Sequence, residues 1–135
     1  MQMGLMIGSG ADPDSSIEGL IALAKRAEQA GFDNIWMANI FGLDAITTLA
    51  MIGRETRRLE LGTAVVPSYP RHPAALAQQS LTAAAASGGR FTLGLGLSHQ
   101  LVIENMFGLS YDKPARHMKE YLQALVPMLK GEAAA

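Results

Sequence analysis

Leu59-Glu60-Leu61-Gly62-Thr63-Ala64-Val65-Val66-Pro67 is the stretch on which the reading of the fold turns. The run over 59–66 is largely apolar and becomes β-branched toward its end, as a strand covered on both sides does. Pro67, Pro70 and Pro73 then interrupt regular structure, because proline lacks an amide donor and fixes φ. Pro73 suits the first turn of a helix. That helix is predicted to run to about Ser87, where Gly88-Gly89 stops it. A further apolar run follows over 91–97, so strand, helix and strand succeed one another within about forty residues, the size of a βαβ unit.

The same alternation extends both ways. Upstream, the first apolar run covers 4–8. Asp14 and Ser15 open a helix, with Ser15 and Glu18 at capping-box spacing. Ile17, Leu20, Ile21, Ala24 and Ala27 mark one face at helical period, and Gly31 is the expected stop. A second run over 34–38 contains Trp36, read as barrel core rather than as a stacking platform. Asp44 then caps a helix carrying Ile46, Leu49, Ala50 and Ile52 that ends near Arg57. Downstream of 91–97 comes a longer loop. Asp112 and Pro114 start a fourth helix reaching about Lys130, in which Pro127 is expected to kink or shorten the last turns. The order is β-α-β-α-β-α-β-α. Strand starts fall roughly 25 to 32 residues apart, which fits right-handed crossover units.

The 135 residues are 49% apolar and 17% charged, a composition that supports a buried core. The net charge of −1 gives no electrostatic case for nucleic acid or an anionic membrane. Absence of cysteine excludes disulfides and thiolate metal sites, and no His/Asp/Glu group has metal-ligand spacing. The start lacks the pattern of a signal peptide and no apolar run spans a bilayer, so a cytoplasmic location is expected. Periodicity leaves a barrel and a doubly wound open sheet equally open. In the segment Gly8-Ser9-Gly10-Ala11-Asp12-Pro13 the G-x-G-x-x-G phosphate turn of the open-sheet fold is not completed.

Three segments break that tie. Leu61-Gly62-Thr63-Ala64-Val65-Val66-Pro67, with Arg71-His72-Pro73-Ala74 after it, resembles the third-strand signature of the luciferase-like family. Gly88-Gly89-Arg90-Phe91-Thr92-Leu93-Gly94-Leu95-Gly96 resembles that family's fourth strand, and the segment from Ala27 to Trp36 its first helix and second strand. The match suggests the deazaflavin-dependent branch related to methylenetetrahydromethanopterin reductase. The resemblance implies an α/β fold: four consecutive β/α units of a TIM-type (β/α)8 barrel, with parallel strands and outer helices. The expected half-barrel domain covers 1–131, with a tail at 132–135. Family members run to about twice this length, and the second half would supply much of a phosphate-binding site.

Functional residues of such barrels gather at the C-terminal strand ends. At the first end, Gly8 permits close backbone approach to a flat ligand; a plain tight turn is the alternative reading. At the second, the resemblance implies an acidic residue followed by His, where this chain has Asn39-Ile40. Asn39 can still hydrogen-bond a flavin-type ring, whereas Ile40 cannot move a proton. At the third, the resemblance implies a non-proline cis peptide at Ala64–Val65 supporting the cofactor ring; an ordinary trans strand is the alternative. At the fourth, His99 stands where the resemblance implies that an acidic residue can sit, and it is the candidate acid or base. Ser98 is a candidate donor to a cofactor carbonyl, and solvated loop positions are the alternative for both. Arg71 and His72 are read chiefly as capping and surface residues, and Arg116 and His117 as exposed on the fourth helix.

What the resemblance implies is a flavin- or deazaflavin-dependent oxidoreductase acting on a small organic substrate by hydride transfer or monooxygenation. Coenzyme F420 is the expected cofactor, with FMN as the alternative. The other expectation is a non-catalytic half-barrel that folds and self-associates. Exposed edge strands and a bare inner face would then favour a homodimer or higher homo-oligomer, with no nucleic-acid or membrane partner.

Overall fold

A computed structural model describes residues 1–132. The last three residues of the expected 132–135 tail lie outside the described residues. The elements are β1 (Gly4–Ile7), α1 (Ile17–Gln29), β2 (Asn34–Met37), α2 (Ala45–Glu55), β3 (Glu60–Thr63), β4 (Val66–Pro67), α3 (Pro73–Ala86), β5 (Phe91–Thr92), β6 (Leu95–Gly96) and α4 (Pro114–Leu129), with a π-helical turn at Val102–Met106.

The strands pair in parallel in the order β1-β2-β3-β5, and β4 pairs in parallel with β6. Sequential order distinguishes a singly wound barrel wall from a doubly wound sheet, whose strand order reverses at a switch point. The helices agree: α1 packs on α2, α2 on α3, and α3 on α4, forming one row. The third and fourth expected strands are each broken in two. The break in the third falls at the Ala64–Val65 peptide, which is cis. That in the fourth falls at Leu93-Gly94.

Alternation along the strands positions the core. Ile7, Ile35, Met37 and Leu61 are fully buried, as are Leu20 and Ala24 of α1, Leu49 and Ile52 of α2, and Leu76 of α3. Burial of each large side chain contributes roughly 1.5–3 kcal/mol. The opposite face carries Gly4, Met6, Asn34, Trp36 and Gly62. Trp36 lies across Gly62, where a β-carbon would collide with the indole, and its Nε1 donates to Asn34 Oδ1 at 2.9 Å. Met6 on this face is 54% exposed.

Several local expectations change. Ser16, not Ser15, caps α1: its Oγ accepts from Gly19 N–H, while Asp14 accepts from Ser16 N–H. The Ser15/Glu18 spacing was one residue out of register. Asp44 caps α2 through Thr47 N–H, as expected, but that helix ends at Glu55. Asp112 does not cap α4; Lys113 occupies that place with φ 46° and no side-chain cap bond. Pro127 does not shorten α4, which continues to Leu129. Among the described residues no helix is long and apolar enough to cross a membrane.

Candidate functional site

Backbone hydrogen bonds gather the strand ends. Ala38 N–H donates to Ile7 O (3.0 Å), Ala64 N–H to Met37 O (2.8 Å), Val66 N–H to Gly94 O (3.0 Å) and Ser68 N–H to Gly96 O (2.9 Å). Gly8, Asn39, Ala64, Val65, Ser98 and His99 therefore all stand at one end of the sheet, where the topology puts functional groups.

Each end is built differently. Gly8 has φ +77°, and an added β-carbon would lie 2.8 Å from Ala38 O, so this turn admits only glycine without strain. Its N–H donates to Asp12 Oδ2 at 2.8 Å. Asn39 Oδ1 accepts from Ala45 N–H at 2.9 Å, fixing the start of α2. That leaves the Asn39 amide nitrogen without a hydrogen-bond partner among the described residues.

At the third end Val65 is 46% exposed and leans on β6. A β-carbon on Gly96 would lie 2.5 Å from Val65 Cγ2, and one on Gly94 would collide with Thr63 O. Thr63 Oγ1 donates to Gly94 O and accepts from Gly94 N–H, both at 2.8 Å, closing the gap between the broken strands. The result is an apolar shelf with no side chains on its glycine strip.

At the fourth end Ser98 sits in the left-handed region at φ 62°, and its carbonyl accepts from Tyr111 Oη at 3.3 Å. His99 is exposed. Its carbonyl accepts from Val102 and Ile103 N–H to start the π-helical turn. Its imidazole makes no hydrogen bond among the described residues.

Sequence reasoning missed the cluster behind the shelf. His117 is not an exposed helix residue: its ring stacks on Tyr69 at 3.8 Å and 6°, and its Nε2 lies 2.9 Å from Ser68 Oγ. Tyr111 stacks on Tyr69 at 5.1 Å. Tyr121 Oη donates to Arg71 O at 2.8 Å, and the Arg71 guanidinium pairs with Asp44 at 2.6 Å. His72 caps α3, its Nδ1 accepting from Ala74 N–H. The turn over 68–71 is thus held by α4 and α2 together.

Burial holds the His117 imidazole below its ordinary pKa, against the pull of Glu120. Burial pushes the Tyr121 phenol up to about 12, Arg71 opposing. Burial works to raise Asp44, but the Thr47 amide and hydroxyl and the Arg71 guanidinium outweigh it and hold the carboxyl below its ordinary value. His117 and Tyr121 are four residues apart and share a helix face. That spacing was available in the sequence; their partners, about fifty residues away, were not.

Between the first and second strand ends lies a pocket of about 180 Å³ whose walls include Gly8, Asp12, Met37, Ile40 and Phe41. Among the described residues no three His, Asp or Glu side chains converge on a metal-sized site.

The sequence model of the luciferase-like monooxygenase family matches residues 1–134. Rv3520c of Mycobacterium tuberculosis, provisionally named a coenzyme F420-dependent oxidoreductase, is 42% identical over 123 residues, 90% of this chain and 35% of that protein. The 5,10-methylenetetrahydromethanopterin reductase of Methanolobus tindarius is 35% identical over 121 residues, 89% of this chain and 37% of that protein. The oxygenating constituent of 3,6-diketocamphane monooxygenase from Pseudomonas putida, solved in complex with FMN, superposes with a TM-score of 0.80 at 18% identity, covering 93% of this chain and 38% of that one. The chain therefore spans a little over a third of the length of these proteins.

Proposed function

The chain belongs to the luciferase-like monooxygenase family, and we propose that it serves a flavin- or deazaflavin-dependent oxidoreductase that acts on a small organic substrate, with coenzyme F420 the favoured cofactor and FMN the alternative. The observation that carries this reading is the shelf of Val65 over Gly94 and Gly96 at the C-terminal strand ends. The fit is one of shape: a β-carbon at either glycine would fill the space beside Val65 or strike Thr63. A flat ring needs such a bare support. The F420-dependent naming of Rv3520c favours the deazaflavin.

When bound, the reduced cofactor supplies the hydride, or the electrons for oxygen activation. The protein orients and excludes water. Val65 backs the ring, Ala64 continues the shelf toward β2, and the Gly8 turn lets the backbone approach closely. The free amide nitrogen of Asn39 and the hydroxyl of Ser98 are donors for ring carbonyls. His99 holds or releases a proton at its imidazole nitrogens beside the substrate. Titrating the purified chain with coenzyme F420 and with FMN, followed by chromophore absorbance, tests the reading. Micromolar binding of either is expected; binding of neither would sink it.

We also propose that the chain self-associates and works in the cytoplasm. Among the described residues β1 pairs only with β2, and β5 and β6 only with β3 and β4. Open edges and the uncovered face bearing Met6 and Trp36 are templates for a second copy. Two copies related by a two-fold axis would pair each β1 with the partner's fourth strand, giving a dimer whose interface is self-complementary. This arrangement favours the second reading, a self-associating half-barrel, if neither cofactor binds. A dimer is expected in sedimentation at micromolar concentration, and a monomer would overturn the proposal.

A further inference from the structure

The residue that opens the fourth strand end stands in a conformation that its side chain disfavours. Ser98 has φ 62°, where the β-carbon of an L-residue crowds the following carbonyl. Elsewhere the chain meets positive φ with glycine, as at Gly8, Gly31, Gly88 and Gly89; Lys113, at the entry to α4, is the other exception among the described residues. A turn alone would be served by glycine. Serine adds a hydroxyl and accepts the strain, at the end of the sheet where a barrel meets its ligands.

Tyr111, thirteen residues further on, holds this conformation: its Oη donates to the Ser98 carbonyl at 3.3 Å. That bond is long for a hydroxyl donor, so it depends on the phenol being kept in line. Stacking keeps it there. The Tyr111 ring lies against Tyr69 at 5.1 Å and 30°, and Tyr69 lies flat on His117 at 3.8 Å and 6°. The Tyr111 N–H donates to Glu104 Oε1 at 3.4 Å. His117 Nε2 is 2.9 Å from Ser68 Oγ, and the Ser68 N–H donates to Gly96 O on the strand that leads to Ser98. The ladder therefore runs from the third strand end, through α4, to the fourth, and closes on itself.

The backbone of Ser98 sets the direction in which the chain enters His99. The His99 carbonyl is pinned by the N–H groups of Val102 and Ile103. A Ser98 turned to negative φ would swing its carbonyl away from Tyr111 and redirect both its own hydroxyl and the imidazole that follows.

We propose that Tyr111, steadied by Tyr69, is a positioning residue: its hydroxyl holds Ser98 left-handed and so aims the Ser98 hydroxyl and the His99 imidazole toward the shelf at Val65. Its catalytic meaning rests on the function proposed above. The clamp itself does not.

The full chain is studied by NMR, with Ser98 φ read from backbone chemical shifts and the HN–Hα coupling. Coenzyme F420 and FMN are titrated into the same samples. In the parent protein Ser98 should show positive φ. Tyr111→Phe keeps the ring on Tyr69 and removes only the hydroxyl. Ser98 should then leave the left-handed region, and cofactor binding should weaken about fivefold in a protein that stays folded, the change that one neutral hydrogen bond produces. Ser98→Gly removes the strain instead. Glycine takes positive φ about as readily as negative, so adding Tyr111→Phe to Ser98→Gly should alter cofactor affinity by no more than about twofold. A merely structural tyrosine would lower the melting temperature equally in both backgrounds and leave Ser98 φ unmoved.

Negative φ at Ser98 in the parent, unchanged φ in folded Tyr111→Phe, or equal losses of affinity in the two backgrounds would each overturn the proposal. Should Tyr111→Phe fail to fold, Tyr69→Leu withdraws the stacked support and leaves the hydroxyl in place; it should free Ser98 in the same way, and a fixed Ser98 there would overturn the clamp. If the parent binds neither cofactor, the oxidoreductase reading falls and the φ measurements decide the clamp alone. Cofactor binding with Ser98 fixed in Tyr111→Phe removes the clamp and leaves that reading.

Discussion

At the N-terminal end of the strands, Arg90 donates to Leu59 O (2.7 Å), Gly53 O (2.9 Å) and Thr56 O (3.0 Å), and also to the Thr56 hydroxyl. The Glu28 carboxylate accepts from the backbone N–H groups of Arg57, Arg58 and Leu59, and Asp33 from Met3 N–H. At the C-terminal end neutral links stand beside charged ones: Ser68 with His117, Tyr121 with Arg71 O and Asn39 with Ala45 N–H, next to Asp12 with Gly8 N–H and Asp44 with Thr47 N–H and Arg71. There the strands break, Ser98 adopts a left-handed conformation, and Ile40, Phe41 and Val65 face outward. The N-terminal end concentrates its charge on backbone, one arginine on three carbonyls and one carboxylate on three amides. The other leaves donors and apolar surface uncommitted. Under the proposed function, the difference separates stability from ligand contact within one sheet, as the barrel architecture does generally.

The largest effect should come from breaking the N-terminal end. Arg90→Met removes a charged donor from three carbonyls and leaves them unpaired. Urea unfolding should show a loss of about 3 kcal/mol, with ligand affinity unchanged under native conditions. An Arg90→Met protein that loses affinity while fully folded would mean the two ends are coupled.

Gly94→Ala strikes the other end. Its β-carbon would collide with Thr63 O, so backbone must move, at a cost of about 2 kcal/mol. Unlike Arg90→Met, it should also weaken cofactor binding, because the shelf is displaced. Equal cofactor affinity in a folded Gly94→Ala protein would argue that the shelf supports nothing.

Glu28→Gln sharpens the comparison through pH. Burial works to raise Glu28, but the amides of Arg58, Arg57 and Leu59, with the Arg58 charge, outweigh it and hold the carboxyl below its ordinary value of 4.5. A depressed folded-state pKa adds stability above the unfolded value, and that stability is lost as pH falls through the folded pKa. At neutral pH the variant should be less stable by about 1 kcal/mol. The gap should close as the pH is lowered below 4.5, measured by denaturant melts at each pH. A gap that is flat across that window would show that the carboxylate's charge contributes nothing.

The smallest effect is expected behind the shelf. His117→Phe keeps the stack on Tyr69 and removes the Ser68 partner, a neutral hydrogen bond. Thermal unfolding should register a loss of about 0.5–1 kcal/mol. A loss as large as that of Arg90→Met would place structural weight at the C-terminal end and erase the contrast.

Much of this was legible in the chain. The four apolar runs, the Asp44 cap, the Pro73 start of α3 and the cis bond at Ala64–Val65 are where the motifs placed them. Reading failed where the answer depended on distant partners. Ser16 won over Ser15 because Asp14 turns back onto its amide. Asp112 lost the α4 cap because the chain enters that helix through a left-handed Lys113. His117 was read from its own helix, which shows only that it lies on a face, not that Tyr69 covers it.

By itself, then, the sequence determined the alternation of strand and helix, the helix stops and the glycines of the fourth strand, because each of these is a local property of backbone sterics and side-chain period. Strand order was not local. Periodicity allowed a barrel or an open sheet alike, and the chain packs its strands in the order β1-β2-β3-β5 with one row of helices because that arrangement buries Ile7, Ile35, Met37 and Leu61 together against α1, α2 and α3. Tertiary structure also decided why Gly94 and Gly96 must be glycine: Thr63 and Val65 pass over them from a strand about thirty residues away.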